Sequence, residues 1–74
     1  MKKLSKPTKL LSARKRSGMK QVELASAAAV SQSQLWSYEK GYFLPTRSVA
    51  KRLAKALNCR VEDIFGPQAL KDRN

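Results

Sequence analysis

Residues 21–41, QVELASAAAVSQSQLWSYEKG, decide the fold. Leu24, Ala25 and Ala28 recur at helical spacing and predict a helix over about Gln21 to Ala28, with small inward residues that let a neighbour approach closely. Residues 31–34, SQSQ, then form a capping-box pattern, in which the Ser31 oxygen accepts from the third amide and Gln34 reaches back to the serine amide. A second helix therefore starts at Gln32. It carries Leu35 and Tyr38 inward, three residues apart, and stops after Lys40 because Gly41 takes the left-handed conformation that ends helices.

Working outward, the flanks also read as helix. Ala, Leu, Lys, Arg and Gln dominate, and the β-branched and aromatic residues show no period-two alternation. A helix of about Thr8 to Ser17 turns Leu10, Ala13 and Arg14 to one side, and Gly18 ends it so that Met19 folds back onto the core. After the loop Tyr42 to Pro45, Thr46 caps a helix from Arg47 to Leu57, with Val49, Ala50, Leu53, Ala54 and Leu57 as its apolar stripe. Asn58 or Cys59 breaks it. A short helix, Val61 to Phe65, begins with Glu62 and Asp63, where the helix dipole favours acids, and Gly66-Pro67 closes it. The expected fold class is all-α, a compact five-helix domain over residues 8–67, with a flexible basic arm at 1–7 and a short tail at 68–74.

Composition narrows the function. A chain of 74 residues makes one domain and buries only roughly 60% of its unfolded surface, so its core is small. With one cysteine and no histidine it assembles neither an internal disulfide nor a Cys/His metal site, and no cofactor is expected; a second copy of itself is the remaining support. Cys59, between Asn58 and Val61, reads as a small core residue rather than a reactive thiol. The N-terminus lacks the apolar run of a signal peptide and no stretch approaches the ~18 apolar residues of a membrane span, which predicts a soluble cytoplasmic protein. An enzyme is not expected: histidine is absent, and neither a carboxylate pair sharing a cleft nor a phosphate-cradling glycine loop is present.

The net charge is +11, and Lys2, Lys3, Lys6, Lys9, Arg14, Lys15, Arg16 and Lys20 put eight cations in a stretch without an acid. Such a field concentrates polyanions, which favours nucleic acid over a merely solubilising surface. Two short helices joined by about three residues, the second rich in amides and ending in lysine, also suit a pair in which one helix crosses the DNA backbone and the next enters the major groove.

Specific residues sharpen this. Gln21-x-Glu23-Leu24-Ala25, Val30-Ser31-x-Ser33-x-Leu35, Tyr38-Glu39-x-Gly41, Leu44-Pro45 and Leu53-Ala54-x-Ala56-Leu57 resemble the lambda-repressor-like family, also called Cro/repressor or XRE-type, from Leu10 to Phe65. The resemblance implies a DNA-binding transcription factor, usually a repressor, acting as a homodimer on roughly palindromic double-stranded DNA. It places Gln32, Ser33 and Ser37 against base edges, where a glutamine amide suits adenine and serine tolerates several bases. It places Gln21 on a phosphate while bracing the reading residues. Ser31 and Gln34 serve as caps that also reach the phosphate edge, and Lys40, the Gly41 amide, Thr46 and Arg47 meet the backbone. Arg14 and Glu39 match a structural ion pair between the first helix and the end of the reading helix. The plain alternatives are surface amides, caps and helix formers.

Three positions depart from the pattern: Lys20 and Arg60 stand where caps are usual, and Ala29 replaces a turn glycine. Each is expected to weaken local structure slightly, and Lys20 at a helix N-terminus is better explained if a DNA phosphate accepts it. Trp36 lies on the groove side, as either a packed indole or a contact to a thymine methyl or sugar. Tyr42 and Phe43 form a dimer contact or a lid on the core, and the last helix with Leu70 is the other candidate dimer surface. Lys2, Lys3, Lys6 and Lys9 resemble DNA-embracing arms, or a solubilising tail.

Two other classes compete. A nonspecific RNA or ribosome-associated binder has adequate charge but lacks an aromatic stacking platform. An antitoxin that masks a toxin and binds its own promoter fits the same fold. Only nine residues follow Phe65, too few for a ligand-sensing domain within this chain. A polymerase is a further possible partner, yet the outward Val22 and Ser26 offer it no acidic patch beyond Glu23, which favours repression.

Overall fold

The computed structural model describes residues 8–66. The basic arm, Pro67 and the tail with Leu70 lie outside the described residues. Five helices follow in order: α1 (Lys9–Ser17), α2 (Gln21–Ala27), α3 (Gln32–Lys40), α4 (Arg47–Ala56) and α5 (Val61–Phe65). Among the described residues there is no strand.

Local chemistry sets the boundaries. Thr8 is the N-cap of α1, its hydroxyl oxygen accepting from the Leu11 amide at 3.1 Å, so the helix proper begins one residue later than its sequence suggests. Ser31 and Gln34 make the reciprocal box at the start of α3, with Ser31 Oγ accepting from the Gln34 amide at 3.0 Å and Gln34 Oε1 accepting from the Ser31 amide at 3.1 Å. Thr46 Oγ1 accepts from the Val49 amide at 3.3 Å at the head of α4. Lys20 and Arg60 have no acceptor to offer, and each keeps only the returning half of a box: Glu23 accepts from the Lys20 amide at 2.8 Å, and Asp63 from the Arg60 amide at 3.0 Å. At the other ends, α2 and α4 stop one residue short of the expected Ala28 and Leu57, which become C-caps.

The core is a single cluster. Leu10, Leu24, Leu35, Leu53 and Ile64 are fully buried, and Ala25, Ala28, Ala50 and Ala54 supply the small surfaces that let the helices approach. α1 packs on α3 and α5, α2 on α3 and α4, and α4 on α5, so α3 is held on its inner side by the two helices that precede it. Cys59 packs against this cluster half-buried; burial pushes its thiol up, Asp63 adds to the rise and Arg16 opposes it. Tyr42 and Phe43 do not form a lid on the core. They are 63% and 66% exposed, and the residues that close the core below the loop are Leu44, packed against it, and Pro45, which is buried.

The α2–α3 turn carries local strain. Ala29 has φ 59°, in the left-handed region that a side chain disfavours, while its neighbours close the turn through Ala29 N to Ser26 O at 3.1 Å and Val30 N to Ala25 O at 2.9 Å. Removing the Cβ relieves the backbone but loosens the unfolded chain, leaving a net gain of about 0.5–1 kcal/mol. Ala29→Gly is therefore expected to raise the urea midpoint without changing the denaturant slope; an unchanged or lowered midpoint would contradict the assignment of strain here.

Candidate nucleic-acid interface

The outward face of α3 is organised from within the core. Glu39, in the last turn of α3, is a charged side chain only 3% exposed. Its carboxylate takes a forked contact from Arg14 on α1, Nε to Oε2 at 2.5 Å and Nη2 to Oε1 at 3.2 Å, and the third guanidinium nitrogen donates to the Met19 carbonyl at 3.0 Å. The fork fits both oxygens at once, which fixes the orientation of α3 against α1. Thr8 Oγ1 donates to the Glu39 carbonyl at 2.7 Å, so the α1 cap is tied to the same residue.

The network continues to the surface. Gln21 Nε2 donates to Glu39 Oε1 at 3.0 Å, and Gln21 Oε1 accepts from Gln32 Nε2, also at 3.0 Å. The buried carboxylate thereby sets the direction of the amide at the first position of α3, with Gln21 between them. The sequence suggests the Arg14–Glu39 pair and a bracing role for Gln21, but not that one carboxylate serves both; only the three-dimensional approach of three helices makes that visible.

Gln21, Gln32, Ser33, Trp36 and Ser37 line one shallow recess on this face. Ser31, Gln32, Ser33, Gln34 and Lys40 are exposed around it, and Gly41 follows at φ 80°. Lys20 at the head of α2 and Arg47 at the head of α4 are exposed, and neither makes an ion pair among the described residues. Thr46 uses its hydroxyl as a cap. Trp36 is not buried in the core: it is 44% exposed, with the Tyr42 ring edge-on at 5.4 Å and the Lys40 ammonium 5.9 Å from its ring centroid.

The sequence does not single out Arg52. Its Nε donates to the Ala28 carbonyl at 2.8 Å and its Nη1 to Ser48 Oγ at 3.0 Å, fastening α4 to the carbonyl that α2 leaves open at its C-terminus. No signal in the sequence marks it, because the acceptor is a backbone group 24 residues away. Among the described residues, no group of three or more His, Cys, Asp or Glu side chains is placed to hold a metal ion, and no helix is long and apolar enough to cross a membrane.

A family model described as helix-turn-helix matches residues 10–64. The chain belongs to the XRE-type helix-turn-helix family. A protein of Archaeoglobus fulgidus, described as an uncharacterized HTH-type transcriptional regulator, is 34% identical over 58 residues, covering 78% of this chain and 83% of that protein. At the level of the family, the function is DNA-binding transcriptional regulation. The XRE-type match spans the α2–α3 pair and all three residues of the Arg14–Glu39–Gln21 junction.

Because Glu39 is buried, removing its partner leaves a charge without compensation, which costs about 3 kcal/mol. Arg14→Ala is expected to lower stability by about that amount and Lys15→Ala, at an exposed site, by less than about 0.5 kcal/mol. Equal melting temperatures for the two variants would show that the junction does not hold the fold.

Proposed function

We propose that the protein is a cytoplasmic repressor that binds a palindromic operator as a homodimer, with α3 of each protomer in the major groove. Gln32, Ser33, Ser37 and Trp36 face base edges. Lys20, Gln21, Ser31, Gln34, Lys40, the Gly41 amide, Thr46 and Arg47 meet phosphates and set the register. The observation that carries this reading is the preset amide of Gln32: a flexible side chain spends entropy to reach a base, whereas one already bonded to Gln21 presents its remaining groups in a fixed direction.

The electrostatics agree. A net charge of +11 draws the protein to the duplex, and exposed cations stand at the heads of α2 and α4. Repression rather than activation is supported by the outer side of α2, where Val22 is 54% exposed and Glu23, engaged with the Lys20 amide, is the one acid of the helix, too little for an acidic patch that would meet a polymerase.

Selection of bound duplexes from a random pool tests this. The expected result is a short palindromic consensus with half-site centres about one helical turn apart, ~34 Å. Gln32→Ala should relax one position of that consensus at a cost of about 1–3 kcal/mol, while Lys20→Ala lowers the salt slope by about one without changing the consensus. Binding governed by salt alone, with no consensus, would overturn the reading.

A further inference from the structure

Trp36 stands out on the α3 face. The α3 residues around it are polar: the exposed Gln32 one turn before it, Ser33 three residues before and Lys40 one turn after, and the half-buried Ser37 beside it. Leu35, on the inner side of the same helix, is fully buried, so the core did not require an indole pointing outward. Nor is the ring a loose surface side chain. Tyr42 meets it edge-on, with centroids 5.4 Å apart and planes at 71°, and the Lys40 ammonium lies at 5.9 Å from its centroid, within reach of a cation–π contact. Lys40 at the end of α3 and Tyr42 just beyond it thus hold one part of the indole and leave the rest open into the recess that Gln21, Gln32, Ser33 and Ser37 share.

A rigid apolar plate among hydrogen-bonding side chains has one apolar counterpart on the floor of the major groove, the C5-methyl group of thymine. We infer that Trp36 is a specificity-determining residue that selects thymine through its methyl group, with Tyr42 and Lys40 as positioning residues that hold the indole in place. The inference rests on the DNA-binding reading above and deepens it: Gln32 and the serines read hydrogen-bonding groups, and Trp36 adds a contact that distinguishes thymine from cytosine by shape and hydrophobicity. The apolar burial of a single methyl group sets the size of the effect, about fourfold in affinity.

The test uses the full chain and the duplex obtained by selection, with each thymine of a half-site replaced in turn by uracil, which removes the methyl group and leaves base pairing intact. For the wild type, one replacement per half-site is expected to weaken binding about fourfold; for Trp36→Ala the same replacement is expected to change nothing. Tyr42→Ala should give an intermediate ratio, because the indole remains but is no longer held. Circular dichroism should show Trp36→Ala folded, as its side chain lies outside the core cluster. If uracil is tolerated at every position while the wild type still reads its consensus, or if the thymine preference survives in Trp36→Ala, the inference fails and the DNA-binding reading stands. A consensus without thymine under α3 overturns it in the same way. Absence of any consensus overturns both.

Discussion

A carboxylate 3% exposed inside so small a bundle costs several kcal/mol in lost hydration, and the fold is arranged around meeting that cost. Glu39 is met by a guanidinium fork from α1, by an amide from α2 and, through its own carbonyl, by the hydroxyl that caps α1. A leucine at this position would supply more hydrophobic stabilisation and no direction. What the charge supplies is geometry: the fork accepts only one relative placement of α1 and α3, and Gln21 transmits that placement to Gln32 on the surface. The orientation of α3 and the direction of its first side chain are therefore consequences of the same buried group.

Stability elsewhere is spread thinly. α5 has five residues and α2 seven, too short to persist alone, so both depend on the surfaces they bury against α1, α3 and α4. Two of the five N-caps lack a side-chain acceptor, and the turn between α2 and α3 holds an alanine where the backbone favours glycine. These local weaknesses are not confined to one place: Lys20 heads α2, next in the chain to Gln21, whereas Arg60 heads α5. Under the proposed DNA contact, the cation at the head of α2, unfavourable in the free protein, would gain a phosphate beside it. At Arg60 nothing in the structure offers the same explanation; its contact with Glu62 is exposed and long, 3.5 Å, and contributes little.

Most of the architecture was legible because it rests on local rules. Apolar spacing placed Leu10, Leu24, Leu35 and Leu53 inside, and Gly18 and Gly41 ended their helices in the left-handed conformation expected of them. The capping box at Ser31 fixed the start of α3 to the residue. What stayed hidden depends on distant parts of the chain meeting. The Arg52 bond to the Ala28 carbonyl, the shared use of Glu39 by Arg14 and Gln21, and the Trp36–Tyr42 contact each join a side chain to a group whose position follows only from packing. Tyr42 and Phe43 show the reverse difficulty: of the two readings open to them, dimer contact or lid on the core, the lid fails because Leu44 and Pro45 fill the inward side of the loop.

The central claim is that Arg14 and Glu39 act as one unit that orients α3. A double-mutant cycle in urea unfolding, comparing Arg14→Met, Glu39→Met and the double variant, tests it directly. Each single change strands or removes a buried charge, whereas the double variant puts two apolar side chains together, so the double is predicted to be more stable than the sum of the singles by about 2 kcal/mol or more. Additive losses would mean that the two residues contribute separately, and would contradict an account in which the fork between them sets the orientation of α3.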